Sequence, residues 1–347
     1  MNSESKCDKL FKMSFFSKKN LLIILAVGLF FGLFFLLLNQ SQPKEYLFSY
    51  NSYNDFDIQE SVRTKNSSLN LLLLGIVGEG SRGQFATDTI LVTHLDFTNK
   101  KIALISIPRD LWVRIPNSSQ ETKINGLYAM ENRGKKFSQA TKSSFITKKA
   151  EEITGLKIDE TVILELEGFG KLIDAIGGID IWLETDVYDP LLINPHKPTE
   201  IFHLAAGWRH LDGDLAIKFV RSRYAPEGDF YRMRHQQQII AALKNKLTKL
   251  ADVWNLVTWL KIWQSLNNHI IADLDFNALW NIFNLIKDIS TDEMEYLQIT
   301  NRPPDELLST TTYTSESSAQ DIYILIPREG FEKYQKIQEY IKEKISS

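Results

Sequence analysis

The sequence predicts an α/β domain preceded by one N-terminal transmembrane helix, and three observations support this prediction. Residues 21–38 form an uninterrupted apolar run. From residue 68 onwards, short runs rich in β-branched residues alternate with longer amphipathic patterns, which is typical of an α/β core. The chain has 347 residues, enough for a full hydrophobic core. Its single cysteine, Cys7, excludes an intrachain disulfide.

The apolar run LLIILAVGLFFGLFFLLL contains no charged or polar side chain. As a helix it would span about 27 Å, close to the ~30 Å hydrocarbon core of a bilayer. No small-residue cleavage pattern follows it, because the next residues are NQSQPKEY. We therefore predict an uncleaved, single-pass membrane anchor over residues 21–38.

The charges around this run predict its orientation. Five lysines and two acidic residues give residues 1–20 a net charge of +3, and lysine-rich flanks stay cytoplasmic. We expect residues 1–20 to form a cytoplasmic tail of a cell-membrane protein whose C-terminal domain is extracytoplasmic. That later part carries −6, because the whole chain carries −3. An acidic domain argues against nucleic acid as a partner.

The pattern after the anchor divides into three parts. Residues 39–67 are polar and irregular, as expected of a tether. Residues 68–250 carry the densest strand and helix signals and are predicted to form the core. Residues 251–347 are predicted to form a C-terminal helical extension, with a final strand and helix packed on that core.

Within the core, LNLLLLGI reads as a buried strand that leads into the glycine-rich loop GEGSRG. The strands TDTILVTHL and KIALISIPRD follow, joined by DFTNK as a hairpin. Residues 124–155 are mostly helical in pattern, and ETVILELEGFGKLIDAIGGIDIWL predicts strand, helix, Gly-Gly turn and strand.

The rest of the chain has fewer strand signals. Residues 188–212 read as loops, and a long amphipathic helix begins at QQQIIAAL. We expect another helix near residues 276–288. The chain ends with a strand, DIYILIP, and a charged helix over residues 331–345.

The hairpin brings two charged residues together. If its turn centres between Thr98 and Asn99, facing residues have numbers that add to 197, so Asp88 faces Arg109 with Asp110 beside it. Such a position at a sheet end is common for functional sites. An ion pair that only closes the sheet edge explains the spacing equally well.

The stretch VRSRYAPEGDFYRMRHQQQ, residues 220–238, concentrates arginines in an otherwise acidic domain. Arg221 and Arg223 share a face if this part is extended and diverge by about 200° if it is helical. Asp229, Arg232 and Gln236 share one helix face at positions i, i+3 and i+7.

Arginine side chains match phosphate oxygens with paired hydrogen bonds, so a pyrophosphate is a natural ligand for this stretch. The alternative is a solvated basic helix start, paired with Glu227 and Asp229. Lys123 in KING is a weaker signal, and GEGSRG lacks the ending of a P-loop. The six histidines show no metal-ligand spacing.

Several motifs in order resemble the LytR–CpsA–Psr family over residues 68–247: TDTILVTHLDFTNKKIALISIPRD, KING, GGIDIWL and GWRHLDGDLAIKFVRSR…GDFYRMRHQQQ. The resemblance implies an α/β/α sandwich with a mixed central sheet. It also implies a phosphotransferase that moves a glycopolymer from a polyprenyl-pyrophosphate carrier to peptidoglycan or another envelope acceptor.

The resemblance also implies roles for individual residues. The catalytic residues would be Asp88, Arg109, Asp110 and Arg232, and Asp88 would hold Mg²⁺. The pyrophosphate would be bound by Arg109, Lys123, Arg221, Arg223, Arg232 and Gln236. Phosphoryl transfer depends mainly on positioning and charge neutralisation, which a set of arginines supplies.

The sequence departs from the family pattern at three places. Ala86 stands where the family usually has arginine, and His235, with Arg234 beside it, stands at the second arginine of the RxxRQ pattern. The first glycine loop offers Glu79 and Arg82 where many members have an aspartate. We hypothesise that Arg82 replaces the missing arginine and Glu79 the missing carboxylate.

Three other functions are compatible with such a site to different degrees. A hydrolase would use water in place of the acceptor hydroxyl, and a non-catalytic protein would bind polyprenyl phosphates without turnover. A transcriptional attenuator is disfavoured, because the predicted cytoplasmic part is short and has no DNA-binding motif.

Overall fold

The computed structural model describes residues 68–346, except residues 79, 82, 141–143, 193–200, 252–260, 263, 267, 273–281, 285 and 315–320. The described residues belong to one compact unit. The predicted cytoplasmic tail, transmembrane segment and tether lie outside them. Among the helices described, none has the length and apolar character needed to cross a bilayer.

The strands in chain order are β1 (Ser68–Ile76), β2 (Thr87–Asp96), β3 (Lys101–Ser106), β4 (Trp112–Arg114), β5 (Glu121–Lys123), β6 (Glu160–Glu165), β7 (Ile179–Leu183), β8 (Val187–Asp189), β9 (Phe202–Leu204), β10 (Gly207–Leu211), β11 (Ile270–Ile271), β12 (Met294–Gln298), β13 (Leu308–Thr314) and β14 (Asp321–Pro327). The helices are α1 (Gly126–Glu131), α2 (Ser144–Thr154), α3 (Leu166–Ala175), α4 (Gly213–Arg221), α5 (Asp229–Ala251) and α6 (Gln335–Ser346).

Six of these strands form the central sheet, in the order β11-β6-β1-β2-β3-β12. Neighbours β1 and β6 are parallel, as are β3 and β12, whereas β1–β2, β2–β3 and β6–β11 are antiparallel. The predicted mixed central sheet of an α/β fold is therefore confirmed. Strands β11 and β12, which bring the C-terminal region into the sheet, are not among the predicted elements.

Helices contact both faces of this sheet. One face, with Leu74 and Val92, packs against Tyr128 of α1, Ile146 of α2 and Ile337 of α6 in a fully buried cluster. The opposite face, which includes Leu91 and Leu104, packs against Ile240 of α5. This alternation follows from the two-residue repeat of side chains along each strand.

The predicted hairpin register is confirmed. In the β2–β3 pair, Leu91 faces Ser106 and Asp96 faces Lys101, so facing numbers add to 197. The tight turn is stabilised by Asp96, whose Oδ1 accepts hydrogen bonds from the backbone N–H groups of Thr98 and Asn99, both at 2.9 Å.

Several predicted elements have different bounds in the structure. The helical region 124–155 consists of α1, a short 3₁₀ turn at Phe137–Gln139 and α2. The region 188–212 contains the short strands β9 and β10, and the final helix begins at Gln335. The predicted strand DIYILIP is β14, which pairs with β13. Most of the helix predicted near 276–288 lies outside the described residues.

Gln237 fixes α5 against the sheet. Its Nε2 group lies within hydrogen-bond distance of Leu104 O at 3.1 Å, Ser106 Oγ at 3.0 Å and Leu297 O at 3.0 Å. The side chain is buried, and a buried amide requires such partners. Gln298 of β12 adds a hydrogen bond from its Nε2 to Phe230 O. These contacts hold the start of α5 at the β3–β12 edge.

Candidate active site

The open end of the β2–β3 hairpin holds the predicted Asp88–Arg109 pair. Ile107 N donates to Ile90 O at 2.9 Å, which extends the ladder beyond β3. Asp88 Oδ1 then lies 2.6 Å from Arg109 Nη1. The sequence prediction that these two residues are neighbours is confirmed.

The first turn of α5 joins this pair. Asp229 Oδ1 lies 2.8 Å from Arg232 Nη2 and 3.3 Å from Arg109 Nε, so one carboxylate stands between two guanidinium groups. Arg232 Nη2 also donates to the backbone oxygen of Asp88 at 3.0 Å. The predicted helix face with Asp229 and Arg232 is confirmed, and it docks on the hairpin end.

Burial shapes the charges of this cluster. Arg232 is only 5% exposed, and burial lowers its pKa, an effect that Asp229 partly offsets. Burial raises the pKa of Asp229, although the nearby Arg232 and Arg109 act to lower it. Burial also acts to lower the pKa of Arg109, but nearby carboxylates outweigh it and the pKa lies above its ordinary value.

Two guanidinium nitrogens in this cluster lack a hydrogen-bond acceptor. Arg109 Nε and Arg232 Nε are both buried and form no hydrogen bond with any described residue. Arg109 Nε does lie near the Asp229 carboxylate, but without hydrogen-bond geometry. A buried, charged N–H group without an acceptor costs about 1–3 kcal/mol or more. Both oxygens of the neighbouring Asp229 carboxylate are also buried without a hydrogen bond, so the cluster holds unpaired donors and unpaired acceptors together.

Arg221 and Arg223 reach the same site by a change of backbone conformation. Arg221 is the last residue of α4, and Ser222 is extended with φ −62° and ψ 130°. The segment is thus helical up to Arg221 and extended at Ser222, and differs from both the wholly extended and the wholly helical conformation described above. Asp189 Oδ2 accepts from the backbone N–H of Arg223 at 3.0 Å and holds this turn. Asp189 is buried and carries no sequence signal that would have identified it.

These residues line one cavity of about 300 Å³, which we call the arginine cavity. Its polar lining comprises Asp88, Thr89, Arg109, Asp189, Arg221, Arg223, Arg232 and Gln236. Asp110 and Lys123 lie outside this lining. They pair with each other, Oδ1 to Nζ at 2.5 Å, and Asp110 Oδ2 lies 3.8 Å from Arg109 Nε. Asp110 therefore contacts Arg109, but neither Asp110 nor Lys123 lines the cavity.

An apolar cavity of about 90 Å³ adjoins the arginine cavity. The two share Gly75, Leu166 and Val220 among other lining residues. Apart from these, the apolar cavity is lined mainly by Leu73, Leu74, Leu164, Phe169, Ile239 and Ile240. A charged cavity and an apolar cavity therefore adjoin one another beside α5.

Arg234 and His235, at one of the positions that depart from the family pattern, lie outside the arginine cavity. His235 is buried, its ring stacks on Phe219 at 4.0 Å between centroids, and its Nδ1–H donates to Phe219 O at 3.0 Å. Arg234 instead pairs with Glu227 on the surface. Neither residue lines the arginine cavity. Glu79 and Arg82, which we hypothesised to compensate, lie outside the described residues.

The described residues contain no group of three or more histidine, cysteine or acidic side chains arranged to hold a metal ion. Asp88 is the one predicted ligand, and it is already paired with Arg109. Mg²⁺ commonly binds to one or two carboxylates together with substrate phosphates and water. The residues present therefore fit an ion whose remaining ligands come from a bound phosphate.

Known proteins with similar sequence and fold identify the family. MsrR of Staphylococcus aureus, named a regulatory protein, is 28% identical over 193 residues, 55% of this chain and 53% of that protein. The chain thus matches about half the length of MsrR. TagU of Bacillus cereus, named polyisoprenyl-teichoic acid–peptidoglycan teichoic acid transferase, is 32% identical over 65% of this chain and 68% of TagU.

Solved structures agree in fold. The crystal structure of Bacillus subtilis TagV has a TM-score of 0.60 and 21% identity, covering 81% of this chain and 98% of that one. TagT bound to LI-WTA has a TM-score of 0.56 and 21% identity, covering 80% and 89%. The LytR_cpsA_psr family profile matches residues 37–324. Because this match spans most of the sequence, the chain belongs to the LytR_cpsA_psr family.

Proposed function

We propose that this protein is a membrane-anchored, extracytoplasmic phosphotransferase. It would move a glycopolymer from a polyprenyl-pyrophosphate carrier to peptidoglycan or another cell-envelope acceptor. The observation that carries this proposal is the arginine cavity, whose lining brings four arginines together. The name of TagU and the ligand of TagT support a glycopolymer substrate.

The arginine cavity suits a pyrophosphate, because two adjacent phosphoryl groups present many oxygens to several guanidinium groups at once. The adjoining apolar cavity suits the first part of a polyprenyl chain, since burial of each CH₂ group contributes about 0.8 kcal/mol. A carrier lipid has both features in the same order. A free nucleotide or inorganic pyrophosphate would use only the charged half.

The reaction would proceed by attack of an acceptor hydroxyl oxygen on the phosphorus that bears the glycan. The bond from that phosphorus to the bridging oxygen breaks, and polyprenyl phosphate leaves with the bonding electrons. Arg109, Arg221, Arg223 and Arg232 would neutralise the charge of the leaving phosphate, which is the main requirement of phosphoryl transfer. Asp88, which pairs with Arg109 in this cavity, would orient the hydroxyl and take up its proton as the new bond forms.

Asp88 would also hold Mg²⁺ together with phosphate oxygens of the substrate. When bound, the ion would supply further charge neutralisation on the pyrophosphate. The predicted anchor at residues 21–38 would keep the site near a substrate that is confined to the bilayer.

Product analysis tests this proposal. The full-length chain is mixed with a polyprenyl-pyrophosphate oligosaccharide and a peptidoglycan fragment, with and without Mg²⁺, and products are identified by mass. We expect a glycan joined to the acceptor through a phosphodiester, lost in Arg232→Ala and retained in Arg234→Ala. Free glycan phosphate alone would identify a hydrolase. Intact bound lipid would identify a non-catalytic binding protein.

A further inference from the structure

A second polar cavity, of about 750 Å³, lies beside the arginine cavity. We call it the loop cavity, because Val77 and Gly78 at the start of the glycine-rich loop form part of its wall. Glu165, at the end of β6, and His269, just before β11, line it as well. Val77 lines both cavities, so they share this part of their walls.

Sheet topology explains why the two cavities are neighbours. Ile76, the last residue of β1, pairs with Thr87 at the start of antiparallel β2 and with Glu165 at the end of parallel β6. These strand ends therefore lie at the same end of the sheet. At that end, β2 carries Asp88 beside the arginine cavity, and β6 carries Glu165 beside the loop cavity.

The wall of the loop cavity contains a fixed chain of polar side chains. His269 Nδ1 lies 2.8 Å from Glu165 Oε2, and His269 Nε2 lies 2.9 Å from Lys171 Nζ. An ammonium group only donates, so Nε2 accepts and Nδ1–H donates to Glu165. Both Glu165 and His269 are largely shielded, with side chains 8% and 16% exposed. These contacts fix the orientation of the Glu165 and His269 side chains in the absence of a ligand.

Gly78, at the start of the glycine-rich loop, packs against Glu165. Gly78 has φ +101°, and a Cβ atom there would come within 2.7 Å of Glu165 Oε1. The loop closes through a hydrogen bond from Gly78 N to Gln84 O, and Gln84 Nε2 donates to Lys135 O. Lys135 precedes residues 136–138, which also line the cavity. The described part of the loop therefore contacts Glu165 and is hydrogen-bonded to Lys135, next to another part of the lining.

The chemistry of the lining differs from that of the arginine cavity. It carries charges of both signs, from Glu165, Glu167 and Lys136, together with the neutral polar groups of Ser138 and Asn268. Carboxylates in the wall disfavour a second polyphosphate. Phe137, Ile270 and Ile271 add apolar surface. Apolar surface combined with both donors and acceptors suits a weakly charged ligand rich in hydroxyl and amide groups.

We propose that the loop cavity binds the acceptor, an amino-sugar chain whose hydroxyl is presented to the phosphate in the arginine cavity. This inference rests on the proposed function, because group transfer between two substrates requires them to be held side by side. Glu165 and His269 act as positioning residues that fix the shape of the acceptor site.

The variant Ser138→Trp tests the inference, because Ser138 lines the cavity and is exposed, so a tryptophan there adds bulk at the wall without replacing a core residue. Ser119→Trp is the matched control: it is an exposed serine in the β4–β5 turn, away from both cavity linings. Binding of a peptide-free peptidoglycan glycan oligomer to the full-length chain is measured by calorimetry. We expect at least tenfold weaker binding in Ser138→Trp and no change in Ser119→Trp.

Initial rates with the lipid-linked donor provide a second readout. The KM for the acceptor oligomer should rise at least tenfold in Ser138→Trp, while the KM for the donor stays within twofold of the wild-type value. Absence of oligomer binding to the wild-type chain, or equal binding by both variants, would overturn the inference. Failure of the proposed function is read separately, as failure of the wild-type chain to bind or turn over the donor lipid.

Discussion

The two sides of helix α5 show how burial separates a site from a surface. Arg232 and Arg234 are two residues apart, and both pair with a carboxylate. Arg232 is nearly inaccessible and lines the arginine cavity. Arg234 lies outside, 44% exposed, over the ring of Tyr231. Of these two arginines, only Arg232 has a desolvated charge, whose interactions are screened less by water.

Helix α5 should contribute to the pH dependence of stability through His235. Burial lowers the pKa of His235 to about 4, from 6.5. Its neutral form is therefore favoured in the folded state, and the stability this provides is complete above pH 6.5 and is lost as the pH falls towards 4. The full effect is about 3 kcal/mol.

Urea unfolding between pH 7 and pH 4 measures this contribution. The free energy of unfolding should fall less steeply with decreasing pH in His235→Gln than in the wild type. His210→Gln, at an exposed histidine paired with Asp180, should keep the wild-type slope. Identical slopes for all three proteins would show that His235 is not buried in its neutral form.

Arg232→Ala should produce the largest loss of ligand binding. It removes a charge-assisted contact to phosphate worth about 1.5–3 kcal/mol, which is roughly a ten- to hundredfold loss of affinity for a polyprenyl-pyrophosphate lipid. Binding to lipid in detergent micelles, measured by fluorescence or calorimetry, tests this value. Unchanged affinity would remove Arg232 from the proposed site.

Gln237→Leu should destabilise the fold rather than the site chemistry. It removes the buried amide that bonds α5 to β3 and β12, at a cost of about 1–3 kcal/mol in the free energy of unfolding. Gln238→Leu is the matched control, because Gln238 is exposed on the outer side of the helix. Equal midpoints of urea unfolding in the two variants would contradict the structural role of Gln237.

Arg234→Ala should have the smallest effect. Its exposed ion pair with Glu227 contributes at most about 1 kcal/mol to stability, and it does not line the arginine cavity. Donor-lipid affinity should therefore equal that of the wild type within twofold. A tenfold loss would mean that the two sides of α5 are not functionally distinct.

Local patterns allowed a large part of the fold and the site to be predicted. The hairpin register, and with it the Asp88–Arg109 pair, follows from the length of one short turn. The shared face of Asp229 and Arg232 follows from helix periodicity alone. Strand β11, which has two residues, and the short strand β12 have no comparable periodic signal, so their places in the sheet were not predicted.

The sequence by itself determined the β2–β3 hairpin, the two local charge pairs, the family resemblance and the prediction of an N-terminal anchor. Only the tertiary structure decided that the two charge pairs contact each other and that Arg221 and Arg223 line the same cavity. It also placed the loop cavity beside the arginine cavity. The physical reason is sequence separation. Turns and helical faces depend on a few adjacent residues, whereas the contact of Arg232 with Asp88 spans 144 positions and depends on how the whole core packs.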